Sequence, residues 1–189
     1  MKKLLFIAIS LVGMMGTTQA QYYKNALGVR LNHGHGGITY KYFTSSSKAL
    51  DLTLDLAFSR NIGTASSSGV GIGLTGLFET HKPTPFAPRL NWYYGYGAHV
   101  SLYGRGEGST IGFGVDGVIG LEYVAEAIPF AFSVDYIPSL SIINSRGAGG
   151  STYFEENFQH YTIGVKYTFL KSDAEKKREE ELKKNSSPK

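Results

Sequence analysis

Segments in which apolar and polar side chains alternate strictly recur along most of the chain. The clearest is 160–169, HYTIGVKYTF, where every odd position is apolar or aromatic and every even position is polar or glycine. Segment 50–59, LDLTLDLAFS, alternates large apolar residues with small or acidic ones in the same way. A period of two places successive side chains on opposite faces of a β-strand. Each segment therefore predicts a strand with one apolar and one polar face.

The same period predicts eight strands, at 25–32, 38–43, 50–59, 70–78, 90–102, 111–123, 130–136 and 160–169. Runs rich in glycine, serine or proline predict connections at 33–37, 44–48, 60–69, 79–88, 104–110 and 144–157, and a short turn is predicted at 125–127. Pro138 has no amide hydrogen, so regular pairing is expected to weaken there. The eight segments predict an all-β, antiparallel, up-and-down eight-stranded barrel, and an even number is expected when both ends of a single-chain barrel lie on the same side.

The N-terminal 20 residues have the pattern of a secretory signal peptide. Lys2 and Lys3 precede an apolar run at 4–15, and a small-residue ending leads to Ala20. Cleavage there would start the mature chain at Gln21, leave 169 residues, and lower the formal net charge from +4 to +2. This weak charge gives no reason to expect a nucleic-acid partner.

Composition limits how such a chain can cross a membrane. It has no cysteine, which excludes disulfides and thiolate metal sites, and it has 24 glycines, 13 tyrosines and 11 phenylalanines. No run after the signal approaches the roughly 20 apolar residues of a membrane helix. A membrane-spanning form would therefore use strands. No cofactor is expected.

The two strand faces differ in the space they need. An eight-stranded barrel has an interior just wide enough for side chains to fill, which suits the small polar face, whereas the aromatic face would crowd it. Charges on an enclosed wall are expected to pair, Lys41 with Asp51, and Arg30 with Asp55 or Asp116. The predicted lumen network is Arg30, Lys41, Asp51, Asp55, Asp116, Glu122, Asp135 and Lys166.

Alternating strand direction sorts the outward aromatic residues into two belts, as membrane interfaces favour. One rim would carry Tyr42, Phe78, Trp92, Tyr123, Tyr167 and Phe169, and the other Phe58, Tyr136 and Tyr161.

This pattern over 25–169, ending in Tyr167 and Phe169, resembles the small eight-stranded outer-membrane barrels of the OmpA/OmpX type. The resemblance implies a monomer in contact with outer-membrane lipid, inserted by the barrel assembly machinery, which would recognise the Tyr167 and Phe169 end. The chain departs from that pattern by continuing past Phe169.

The tail at 170–189 is almost entirely charged. Ser172 and Glu175 form a possible capping box, and Glu179 and Lys183 stand at helical spacing. These features predict a short solvated helix in the periplasm. A contact with peptidoglycan or a partner protein is the alternative.

Two histidine patterns raise chemical alternatives. His99 and Ser101 share a strand face, and this His-x-Ser spacing resembles the dyad of outer-membrane lipid A deacylases, in which histidine activates the serine. That family's next residue is asparagine, where this chain has Leu102, and its orienting glutamate has no counterpart here. An interior hydrogen bond is the structural alternative. His33 and His35 make only a weak metal pair, so no metal site is predicted.

The pattern as a whole favours a structural or surface-interaction protein without catalysis. Tyr153 and Phe154, in the longest predicted loop, are the expected contacts with an unknown surface ligand. A lipid A deacylase-like hydrolase and a narrow pore are the alternatives. The glycines at 71, 73, 95, 97, 112 and 114 suggest a further hypothesis, a void that would admit an acyl chain.

Overall fold

A computed structural model describes residues 21–32, 35–59, 69–105, 108–146, 152–157, 161–171 and 176–177. The strands are β1 (Tyr23–Asn32), β2 (His35–Phe43), β3 (Lys48–Ser59), β4 (Gly69–Pro83), β5 (Leu90–Arg105), β6 (Gly108–Val124), β7 (Phe130–Tyr136), β8 (Ser139–Arg146), β9 (Thr152–Asn157) and β10 (Tyr161–Lys171). None of the helical structure in these ranges is long and apolar enough to cross a membrane. The predicted signal peptide and capping box lie outside the described residues, and of the predicted tail helix only Lys176 and Lys177 are described, with helical backbone.

Eight strands close into a barrel with antiparallel neighbours throughout. Around the wall they follow chain order from β1 to β7, and β10 completes the ring between β7 and β1. At the closing seam Tyr23 lies opposite Lys171, and Asn32 lies opposite Thr162. The predicted all-β, eight-stranded antiparallel barrel is therefore confirmed.

The predicted loop at 144–157 is wrong, because most of it forms the hairpin of β8 and β9. β8 continues along β6 in the register of β7: Tyr136 faces Ile119, and Ser139 faces Asp116. The interruption at Pro138 is local, since its carbonyl accepts a 2.9 Å hydrogen bond from the Gly117 amide. β9 pairs with β8 through its backbone but has no apolar stripe, so hydrophobic periodicity could not reveal it.

Several other strands are longer than predicted, most clearly β4. It continues to Pro83, five residues past the predicted end at Phe78, and remains paired with β5. The side-chain alternation also continues, with Leu77, Glu79 and His81 buried inside. Proline at the last position of a strand costs little, because its missing amide hydrogen need not break the ladder.

The outer face of the barrel is apolar and the inner face is polar. Leu54 is about 44% exposed on the outside, whereas Lys166 is about 1% exposed on the inside. The most exposed outward aliphatic side chains on the strands include Leu31, Ile38, Val115, Ile119, Val134 and Ile163. This is the side-chain orientation predicted from the sizes of the two faces.

Two apolar layers lie inside the barrel, which the sequence did not predict. The first layer lies at the end of the barrel where β1 begins. It consists of Tyr23, Ala26, Phe43, Ala49, Val124 and Ala131. The second consists of Leu77, Tyr93, Val118 and Ile137. Together with the charged residues, these layers fill the interior, as a barrel of this size allows.

The predicted aromatic belt residues lie on the outer face where their side chains are described. Tyr42, Phe78, Tyr123, Tyr161, Tyr167 and Phe169 are exposed, and Trp92 and Tyr136 are half-buried. The ring centroids of Tyr136 and Tyr161 lie 5.1 Å apart, as do those of Tyr167 and Phe169. The Phe58 side chain lies outside the described residues.

Candidate functional site

Lys41 is the centre of a buried charge network inside the barrel. Its Nζ lies 2.7 Å from Glu79 Oε2, 3.0 Å from Glu122 Oε2 and 3.6 Å from Asp51 Oδ2. The ammonium also lies 4.5 Å from the centroid of the Tyr93 ring, within the range of a cation–π contact. Lys41 faces Asp51 across β2 and β3, as the sequence predicted.

Arg30 contacts different carboxylates from those predicted. Its guanidinium lies 3.1 Å from Asp51 and 3.4 Å from Asp135, while Asp55, one of the two predicted partners, attracts it more weakly. Strands of a barrel are tilted, so side chains that meet across the lumen come from different positions along their strands. Strand register alone therefore could not identify these partners.

The remaining predicted charges are distributed between this network and the wall around it. Lys166 Nζ lies 3.5 Å from Asp51 Oδ2. Asp135 accepts hydrogen bonds from the hydroxyls of Tyr93 and Thr162. Asp55 is only half-buried and accepts a 3.3 Å hydrogen bond from the Thr75 hydroxyl, on the neighbouring strand.

Sequence reasoning missed Glu79, His81 and Tyr23 as members of the network. His81 Nε2 lies 2.8 Å from Glu79 Oε2, and the His81 ring stacks on Tyr93 at 4.6 Å. The Tyr23 hydroxyl donates to Glu122 Oε1 at 2.9 Å. Glu79 and His81 could have been found from the sequence, because they continue the inward alternation of β4 past Phe78. The segment was predicted as a connection because prolines follow it.

A second polar group lies where β5, β6 and β8 run side by side. His99 Nδ1 lies 2.8 and 3.0 Å from the two Asp116 carboxylate oxygens, and His99 Nε2 lies 3.0 Å from Ser141 Oγ. The serine that contacts His99 is therefore Ser141 and not the predicted Ser101. Ser101 stands two residues along β5, with its hydroxyl over Gly112.

The hypothesis of a void along the glycine-rich inner wall is wrong over most of its length. A Cβ added to Gly71 would lie 2.2 Å from the Tyr103 ring, and one added to Gly114 would lie 2.3 Å from the His99 ring. Only at Gly73, among the six glycines, would a methyl group meet ordinary van der Waals contacts, the nearest at 3.6 Å. At Gly71, Gly112 and Gly114 the nearest atom belongs to a larger side chain, whereas at Gly95 and Gly97 it is a backbone carbonyl oxygen of β4.

The predicted loop contacts and the histidine pair are only partly described. Phe154 lies on β9 and is about 83% exposed, whereas the Tyr153 side chain lies outside the described residues. His33 also lies outside them, and His35 is described only as the first residue of β2. Within the described part of the chain, no three His, Asp or Glu side chains are grouped to hold a metal ion.

Neither the models of known protein families nor the sequences of curated proteins give a match to this chain.

Proposed function

We propose that this chain is an outer-membrane β-barrel protein of a bacterial envelope, with a structural or surface-interaction role. In this proposal the N-terminal segment directs export and the barrel assembly machinery inserts the protein as a monomer. The observation that carries the proposal is the continuous apolar outer face of a closed barrel whose charges are buried inside.

An apolar band of this kind is unfavourable in water and favourable in lipid. Leu31, Val115, Val134 and Ile163 are each more than half exposed, and comparable side chains surround the wall. Exposed apolar patches larger than a few hundred Å² are rare on soluble monomers. Moving the exposed half of each such side chain into hydrocarbon contributes about 1 to 1.5 kcal/mol, roughly half the value for burying a whole one. A closed ring also satisfies the backbone hydrogen bonds that lipid cannot.

The filled interior favours a structural role over conduction. Lys41, Glu79, Tyr93 and Glu122 are buried together at the centre of the lumen, and the Tyr23 layer lies on one side of them. An ion would have to displace paired charges to pass. We therefore expect the alternative of a narrow pore to fail in planar bilayers, where the protein should show no stepwise conductance.

Surface interaction is assigned to the hairpin of β8 and β9. Phe154 is the one aromatic side chain described on these two strands; it is about 83% exposed, and exposed aromatic side chains favour binding. The surface ligand in this proposal is of unknown class.

Cell fractionation and heat-modified gel mobility test the membrane assignment. The expressed protein should enter the outer-membrane fraction, and the unboiled sample should migrate differently from the boiled one because the closed barrel resists detergent. Recovery of a folded monomer in a soluble fraction, without detergent, would overturn the proposal.

A further inference from the structure

Ser141, His99 and Asp116 form a continuous hydrogen-bonded series from hydroxyl to imidazole to carboxylate. The two contacts at the ring measure 3.0 Å to Ser141 Oγ and 2.8 Å to Asp116 Oδ1. Both lie within the distances expected for a nucleophile, its base and the group that orients the base. The three residues come from β8, β5 and β6, which are adjacent in the wall.

The carboxylate fixes the direction of these hydrogen bonds. An ionised carboxylate can only accept, so Nδ1 of His99 must donate to Asp116. In the neutral ring, Nε2 then carries the lone pair and accepts the proton of the Ser141 hydroxyl. This is the tautomer in which histidine acts as a general base toward serine.

Gly114 makes the contact between His99 and Ser141 possible. It lies directly between them in the sheet, opposite His99 on β5 and opposite Ser141 on β8. A Cβ at this position would lie 2.3 Å from His99 Cε1 and 2.7 Å from Nε2. The imidazole therefore reaches across β6 through the space that glycine leaves, and three rigid strands hold the geometry.

Accessibility distinguishes this group from the charge network around Lys41. The network side chains are about 0–4% exposed, whereas the His99 side chain is about 15% exposed and Ser141 is also only half-buried. Asp116, which only orients the ring, is buried. Because the hydroxyl and its base are partly exposed while the acid that orients the base is buried, a substrate can reach the two reacting groups.

We propose that Ser141 is a nucleophile for carboxylic esters, with His99 as its general base and Asp116 as a positioning residue. The Ser141 oxygen attacks the ester carbonyl carbon while Nε2 takes the hydroxyl proton. The ester C–O bond then breaks, and Nε2 returns that proton to the departing alcohol. Water next attacks the acyl carbon and gives a proton to Nε2, which passes it to the Ser141 oxygen as the carboxylic acid leaves.

The wall beside Ser141 leaves room for only a small acyl group. Its inward neighbours on β8, Ser139 and Ile143, are both buried. Esters of small acyl groups are therefore the substrate class. This activity goes beyond the proposed envelope role, which does not depend on it.

A fluorophosphonate probe on the full chain, folded in detergent micelles, tests this proposal. The probe should attach once, at Ser141, as shown by peptide mass spectrometry, and the protein should release 4-nitrophenol from 4-nitrophenyl acetate. Ser141→Ala should remove both signals. Ser101→Ala is the matched control on the same wall and should keep the labelling rate within twofold.

Two further variants separate the triad from a merely reactive serine. Asp116→Asn should lower the labelling rate at least tenfold, because an amide can donate to Nδ1 and favour the wrong tautomer. Gly114→Ala should do the same by displacing the ring. Heat-modified mobility verifies that each variant is a closed barrel. A folded wild-type barrel that stays unlabelled, or labelling that persists in Ser141→Ala, would overturn the inference and leave the membrane assignment untouched.

Discussion

Replacement of Lys41 should lower the stability of the barrel strongly. Its ammonium faces Glu79, Glu122 and Asp51 at 2.7 to 3.6 Å, and all of these side chains are buried. Lys41→Met keeps the stem and removes the charge, which leaves three carboxylates without their shared partner. We expect a loss of about 3 to 5 kcal/mol in the free energy of unfolding. Urea titration in lipid vesicles, followed by the fluorescence of Trp92, measures it.

Lys48→Met is the control for this change, because Lys48 is an exposed lysine on β3. Its replacement should alter stability by less than about 0.5 kcal/mol. Equal effects at the two positions would show that the network around Lys41 contributes little.

Gly120 is a second residue at which the interior packing can be tested. A Cβ there would lie 2.6 Å from Tyr93 Cζ and 2.7 Å from Asp135 Oδ1. Gly120→Ala should therefore destabilise the barrel by about 1 to 3 kcal/mol through overpacking. Gly73→Ala, where the nearest atom is 3.6 Å away, is the matched variant and should be close to neutral in the same titration.

At this scale the sequence predicted which charges face inward better than it predicted their partners. Side chains alternate between the two faces of a strand, so the position of Arg30 or Lys166 within its strand places it on the inner wall. The partners of Arg30 depend on the tilt of strands on opposite sides of the lumen, and the contact of His99 with Ser141 depends on the absence of a side chain at Gly114. Neither is a local property of the chain.

The β8–β9 hairpin makes a distinct prediction at the scale of the element. β8 has β6 on one side and β9 on the other, so almost all of its amides are hydrogen-bonded. Among the described residues, β9 has β8 as its one strand neighbour. Hydrogen exchange followed by mass spectrometry should therefore show slow exchange for Ser139–Arg146 and faster exchange for Thr152–Asn157. Equally fast exchange of both segments would restore the loop interpretation.

Elements were predictable where an apolar stripe marked one face. β3, β5 and β6 have such a stripe along most of their length, so alternation located them. β9 reads TYFEEN, with charged and polar residues on both faces. Its pairing with β8 comes from backbone hydrogen bonds and from one side-chain bond, which the Asn144 amide donates to the Thr152 hydroxyl at 2.9 Å. The end of β4 was missed for another reason: Pro83 closes the strand without disturbing the Glu79 and His81 positions before it.

For the whole molecule, the apolar outer face predicts how an added charge will act. Leu54→Arg places a guanidinium on the middle of β3, facing outward. In lipid vesicles this should cost about 2 to 4 kcal/mol of folding free energy if the position lies near the bilayer midplane. Phe86→Arg, on the exposed turn between β4 and β5, should change little. If both variants fold with unchanged stability, the outer face does not contact hydrocarbon.

The closing seam between β1 and β10 has a consequence for how the molecule must form. Val29 pairs with Val165, so the ring is sealed by residues from opposite ends of the sequence. Contacts of such high sequence separation form slowly, because the entropy lost in bringing distant segments together is not regained until they pair. The apolar faces of the first hairpins therefore stay uncovered until the chain has been made as far as Lys171. In the proposed envelope location, a holding chaperone or direct transfer to the membrane would protect them during that interval.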